Sequence, residues 1–111
     1  MITYFHHPDC SKSIKGLELL SKSKLPFNIC DYLKNPPNKQ TLAHIITHYN
    51  GNPLDLIRNT ENIKTNNKQT LINHLYNHTK NMQRPILIHN NTIILGRPIN
   101  NIRQFIDAHL S

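Results

Sequence analysis

An α/β fold built on a mixed four-stranded sheet, with helices on both faces and a helical insertion in the middle, is predicted by three observations. Short β-branched and aromatic runs stand near both ends of the chain, apolar residues at helical spacing fill the stretches between, and two late β-rich runs are separated by a tight-turn sequence. The order reads β-α-β, a helical segment, then β-β-α. At 111 residues the length suits one domain, 1–111, with no room for a second independent core.

Ile2 to Phe5 reads as the first strand, ending in the loop His6-His7-Pro8-Asp9. The helix that follows carries an apolar face begun at Ile14 and continued by Leu17, Leu20 and Leu25, and Pro26 stops it. Phe27 to Tyr32 alternates as a second strand, so a βαβ crossover is expected. Pro36-Pro37 breaks the chain, and Asn38 is placed to cap a helix bearing Leu42, Ile45, Ile46 and Tyr49. Asn50-Gly51 ends that helix, Pro53 to Ile57 suits a short one, and Asn59 to Asn67 is polar connection. Lys68 to Thr79 is helical again, with Leu71, Ile72, Leu75 and Tyr76 on one face. Pro85 to Ile88 and Thr92 to Leu95 form a hairpin across His89-Asn90-Asn91. A last helix from Ile99 to His109 presents Ile99, Ile102, Phe105, Ile106 and Leu110 as its buried stripe. This is the arrangement of a thioredoxin-like domain with helices inserted in the middle.

The formal charge of +7 and pI near 9.7 invite a nucleic-acid reading. The lysines, however, are spread through every segment, with no run of five like charges and no aromatic stripe for base stacking. The expectation is no nucleic-acid partner, but a generally basic surface with some anion steering. Ile2 to Phe5 is too short for a signal-peptide core, and no stretch approaches the roughly 18 apolar residues a bilayer span needs. A cytoplasmic protein without a membrane partner is therefore expected. In that compartment two cysteines argue for a reactive or buried thiol rather than a disulfide framework.

Cys10 falls between a strand and a helix, where unpaired backbone N–H groups and the positive end of the helix dipole would face its sulfur. A thiol brought there from about 8.5 to about 6.5 goes from a few per cent to roughly three quarters ionised at pH 7. The same N–H groups, with the hydroxyls of Ser11 and Ser13, would seat an anion, so nucleophile and oxyanion site coincide. His6, four residues before Cys10, is a candidate base or hydrogen-bond partner. Cys10 and Cys30 lack CxxC spacing and have no accompanying His pair with zinc-ligand geometry, so no metal site is expected. Cys30, mid-strand, is expected to be buried.

The stretch His6-His7-Pro8-Asp9-Cys10-Ser11-Lys12-Ser13 closely resembles the His-Asn-Pro-x-Cys-Ser-Lys-Ser loop of the glutaredoxin-coupled arsenate reductase family, which is related to the Spx regulators. Tyr32-Leu33-Lys34-Asn35-Pro36-Pro37, Leu56-Ile57-Arg58, Arg84-Pro85-Ile86 and Gly96-Arg97-Pro98 resemble further segments of that family in the same order, so the likeness covers almost the whole chain. The chain looks most like the short chromosomal members. The resemblance implies Cys10 as nucleophilic thiolate, His6 as its activating neighbour, Ser13 as a hydrogen-bond partner, and Arg58, Arg84 and Arg97 as oxyanion ligands. It also implies a cis-proline at Pro85. The chemistry agrees, because a guanidinium pairs bidentately with a tetrahedral oxyanion and stays charged.

The resemblance further implies reduction of arsenate to arsenite with no bound cofactor, glutathione as external reductant, glutaredoxin as partner, and a monomeric enzyme. Ser13 stands where a CxxC protein would have its resolving cysteine, so a soluble thiol would have to finish the cycle. Two other readings stay open: a regulatory module of the Spx type, and an enzyme of glutathione-dependent thiol exchange on another electrophile.

Overall fold

In the computed structural model, which describes residues 1–110, the first strand runs through the middle of the sheet. Strand β1 (Ile2–His6) leads into helix α1 (Ser11–Lys22), which carries the chain across to strand β2 (Phe27–Asp31). The two strands pair in parallel, from Ile2 opposite Phe27 to His6 opposite Asp31. Such a pairing needs a crossover, and α1 supplies it. Helix α2 (Lys39–His48), a 3₁₀ turn at Pro53–Leu56, helix α3 (Lys68–Asn77) and a second 3₁₀ turn at Thr79–Asn81 form the middle insertion. Strands β3 (Ile86–His89) and β4 (Thr92–Leu95) and helix α4 (Asn100–Leu110) complete the order. The sheet reads β2-β1-β3-β4, with β3 antiparallel to both β1 and β4. The predicted mixed sheet and thioredoxin-like element order are thus observed.

Side-chain alternation sorts the strands between two cores. Ile2 and Tyr4 of β1, with Leu87 of β3, pack against Leu20 of α1 and Ile102, Phe105 and Ile106 of α4. Phe5, Ile86, Ile93 and Leu95 face the other way, onto Leu42, Ile45 and Ile46 of α2 and Leu71, Ile72 and Leu75 of α3. Each fully buried aliphatic side chain contributes about 1.5–3 kcal/mol relative to exposure, so both helical layers are needed to cover the sheet. No helix among the described residues is long and apolar enough to cross a membrane.

Local chemistry fixes the ends. Asn38 caps α2 by accepting from the Thr41 N–H at 2.8 Å, as its position predicts, and Asn67 does the same for α3 through the Thr70 N–H at 3.1 Å. His89 pairs with Thr92, leaving Asn90-Asn91 as a two-residue hairpin loop; Asn90 takes the positive φ of 55° that such tight turns demand.

Four side chains depart from the predicted faces. Ile14 is 41% exposed, because the face of α1 turned to the sheet carries Ser13, Gly16 and Leu20 instead. An added Cβ at Gly16 would collide with the Tyr4 hydroxyl and lie 2.7 Å from Ile102 Cδ1, so small residues there admit the close approach of strand and helices. Tyr76 is exposed, its ring lying 5.1 Å from the Lys39 ammonium. Leu110 is exposed at the last turn of α4. Cys30 is only partly buried, since β2 is an edge strand; its Sγ reaches the Asn35 carbonyl at 3.6 Å.

Candidate active site

The loop from β1 to α1 holds Cys10 as the N-cap residue of the helix, in extended conformation. Its own N–H donates to the His7 carbonyl at 3.1 Å and its carbonyl accepts from the Ile14 N–H at 2.9 Å, which fixes the turn. Cys10 is partly buried at the helix start. Burial by itself pushes the thiol up, but the Ser13 N–H, the Arg84 guanidinium and the Lys12 N–H outweigh it, and the net effect holds Cys10 below the ordinary thiol range. Arg97 adds a direct contact, Nη2 donating to Sγ at 3.6 Å. These donors stabilise the thiolate, the form that attacks electrophiles.

Ser13 is fully buried and ties the loop to the sheet. Its carbonyl accepts from the Tyr4 hydroxyl at 2.6 Å, and its Oγ accepts from the His7 N–H at 2.9 Å. Oγ also lies 2.8 Å from His6 Nδ1. Burial, set against the nearby Asp31 and reinforced by His7, holds His6 below the ordinary imidazole value. A neutral imidazole accepting the Ser13 hydroxyl proton at Nδ1 keeps its own proton on Nε2. His6 therefore meets the site through Ser13.

Two X-Pro bonds are cis, Arg84-Pro85, as the family resemblance implies for Pro85, and Arg97-Pro98, which sequence reasoning did not single out. They shape neighbouring corners. Arg97 Nε donates to the Arg84 carbonyl at 2.6 Å, and Gly96 N–H to the Pro85 carbonyl at 2.9 Å, so the start of β3 and the end of β4 are laced together beside Cys10. Arg58 arrives from the insertion. Its N–H donates to the Asn81 carbonyl, and Gln83 N–H donates to the Leu56 carbonyl at 2.7 Å, pinning the first 3₁₀ turn to the segment that leads into β3.

Of the seven candidate residues, the structure gathers Cys10, Ser13 and Arg97, with His6 bonded to Ser13 and Arg84 acting on the thiol. Arg58 is exposed on an open cleft of about 520 Å³, lined also by Tyr49, Asp55, Gln83 and Arg97, so Arg97 links that cleft to the sulfur. Ser11 is exposed at the first position of α1, and the N–H groups set against the thiol are those of Lys12 and Ser13. A separate hollow of about 550 Å³, lined by Leu33 and residues 77–81, contains none of the seven. No group of three or more His, Cys, Asp or Glu side chains among the described residues converges as a metal site.

Among the described residues, three buried polar atoms have no partner within strict hydrogen-bond geometry: Tyr32 Oη, Gln83 Oε1 and Arg84 Nε. Tyr32 and Gln83 were not marked as candidates by sequence reasoning. The available signal was weak: a tyrosine four residues before a Pro-Pro corner, where a buried phenol still needs a partner for its hydroxyl.

The chain is 28% identical over 113 aligned residues to an arsenate reductase of Neisseria meningitidis serogroup A, covering 91% of this chain and 94% of that protein. It is 25% identical to the uncharacterised protein YfgD of Escherichia coli, covering 95% and 96% respectively. Among solved structures, an arsenate reductase from Vibrio cholerae superposes with a TM-score of 0.80 at 21% identity over 93% of this chain and 95% of that one. A putative arsenate reductase from Yersinia pestis gives 0.79 at 22% identity over 96% and 99%. The chain is thus similar over nearly its whole length to proteins named arsenate reductase, and it shares the thioredoxin-like fold of the solved ones. No protein-family model matches it. In each of these comparisons the cover is near-complete on both sides.

Proposed function

We propose that the protein is a cytoplasmic arsenate reductase working through the single nucleophile Cys10, with glutathione and glutaredoxin as external thiols. The observation that carries this reading is the thiol at the start of α1, held below its ordinary range by two backbone N–H groups and Arg84 and touched by Arg97. The similarity to proteins named arsenate reductase supports the choice of oxyanion.

In the first step the Cys10 thiolate attacks arsenic(V) and displaces hydroxide, which leaves as water after taking a proton. Arg84, Arg97 and, across the cleft, Arg58 hold the anion's oxygens and offset the charge that develops on them. Glutathione then displaces a second hydroxide, placing two sulfurs on arsenic. Glutaredoxin's thiolate attacks the glutathione sulfur, and the sulfur–arsenic electron pair passes to arsenic, giving arsenic(III) on Cys10 and a mixed disulfide. Hydrolysis releases arsenite and restores Cys10. Two electrons reach arsenic, and two external thiols become one disulfide. His6, neutral and anchored through Nδ1 by Ser13, positions the loop, and with its proton on Nε2 it can only donate a hydrogen bond from that side. The enzyme is proposed to work as a monomer with no bound cofactor.

The test is arsenite production from arsenate by the purified protein with glutathione and glutaredoxin. Turnover is expected to vanish in Cys10→Ser and to persist largely intact in Cys30→Ser, whose thiol is held above its ordinary range by burial and by Asp31. Equal loss in both variants would sink the single-cysteine mechanism. No arsenite from a folded wild type with a reactive thiol would sink the reductase reading itself.

A further inference from the structure

We infer that the Tyr32 hydroxyl is a ligand of the oxyanion held at Cys10, a role resting on the reading above for the kind of guest but not for the reaction. Tyr32 is completely buried, and although the Arg84 guanidinium lies close enough to donate toward its oxygen, nothing within strict hydrogen-bond geometry accepts its Oη proton. An unpaired buried donor costs about 1–3 kcal/mol, a penalty that folded proteins seldom carry without a reason.

The surroundings say what kind of guest would relieve it. Asp31 ends β2 in a tight turn, its carboxylate accepting from Leu33 N–H at 3.2 Å and its carbonyl from Asn35 N–H at 2.8 Å, and this turn sets Tyr32 inside. The His7 ring stands edge-on to the Tyr32 ring with centroids 6.2 Å apart, so the phenol lies under the Cys10 loop. Arg84, by charge and by a donated hydrogen bond, and Cys10 and Arg58, by charge, are the groups that act on its hydroxyl. A guanidinium only donates, so Arg84 cannot take the phenol's proton; that proton needs an acceptor. Arg84 Nε beside it is likewise a buried donor without a partner. With the Lys12 and Ser13 N–H groups and Arg97 also directed at the sulfur, the donors in this corner outnumber the acceptors. A tetrahedral oxyanion offers several acceptor oxygens at once and satisfies both orphans. Burial raises the phenol above its ordinary value, which keeps the hydroxyl a donor at every physiological pH.

The experiment measures how arsenate, phosphate and sulfate each slow alkylation of Cys10 by iodoacetamide, in the full chain carrying Cys30→Ser, with and without Tyr32→Phe. The removed hydroxyl is expected to weaken protection by the anion that binds wild type best by roughly 10- to 100-fold, the range for a hydrogen bond to a charged group. Thermal midpoints taken without anion should stay level or rise, because a buried unpaired donor has been removed. Protection at unchanged concentrations in Tyr32→Phe would overturn the inference. So would a thermal midpoint lowered by several degrees without anion, which would mark the hydroxyl as serving the fold alone. A wild type that none of the three anions protects would also overturn it. Protection that depends on Tyr32 in a protein that makes no arsenite would leave this inference standing and remove the reductase reading.

Discussion

Arg97 performs two tasks with one guanidinium: Nε holds the Arg84 carbonyl at 2.6 Å while Nη2 touches Cys10 Sγ at 3.6 Å. Lysine has the charge but a single point of donation, so it cannot brace the corner and face the thiolate together. Arg97→Lys is therefore expected to behave more like Arg97→Ala than like wild type. A loss of about 1.5–3 kcal/mol, or roughly 10- to 100-fold in catalytic efficiency with arsenate, is the expected size. Recovery to near wild-type efficiency in Arg97→Lys would show that charge alone matters there. At this scale the sequence was informative where chemistry is local. The residues from His6 to Ser13 are consecutive, and a thiol opening a helix can be recognised from order alone. Arg84 and Arg97 were legible through the family resemblance. Tyr32 was not, since a missing hydrogen bond exists only once every neighbour is in place.

Among the elements, α1 shows why apolar spacing misleads near a site. Ile14, Leu17 and Leu20 make the more apolar stripe, yet the helix turns Ser13 and Gly16 with Leu20 to the sheet and leaves Ile14 outside, because Tyr4 and Ile102 leave no room for anything larger at Gly16. Close approach, and not hydrophobicity, sets the rotation of the helix, and with it the direction of the Ser13 N–H toward Cys10. Gly16→Ala is accordingly expected to destabilise the protein by about 1–3 kcal/mol through overpacking, although alanine is the better helix former. Ile14→Ala, on the exposed side, should stay within about 0.5 kcal/mol of wild type. Urea denaturation of the two variants decides the matter. A larger loss from Ile14→Ala would mean that the helix sits in the rotation its apolar pattern suggests. Elsewhere the elements were legible because their signals were redundant: Asn38 as cap, Leu42, Ile45 and Ile46 as stripe, and Asn90 at positive φ in the hairpin.

For the whole molecule, order and spacing carried the topology, since a strand, a crossover helix and a second strand have few ways to assemble. What they could not carry is how the two cores treat protons. His6 is held low mainly by burial, and so is His74, whose Nε2 stands 2.8 Å from the Asn81 amide nitrogen, with His78 adding repulsion. Below about pH 6.5 the unfolded chain protonates these rings before the folded one does. The unfolded state then binds more protons, so stability falls as pH drops from about 7, and the slope vanishes once the folded rings protonate too. Cys10, lowered in the fold, has the same sign just below the ordinary thiol value. Cys30, Tyr4, Tyr32 and Tyr49 are raised, mainly by burial, and have the opposite sign. Above about pH 8.5 the unfolded chain releases protons that the fold retains, and stability falls again. Urea midpoints measured from about pH 5 to about pH 11 should therefore trace a maximum at neutral to mildly alkaline pH. His6→Gln and His74→Gln should each flatten the acid side only, and Tyr32→Phe the alkaline side only. A wild-type midpoint that stays level between about pH 7 and pH 5 would mean that neither ring is kept neutral by the fold, and would remove the basis for assigning His6 its fixed proton beside Ser13.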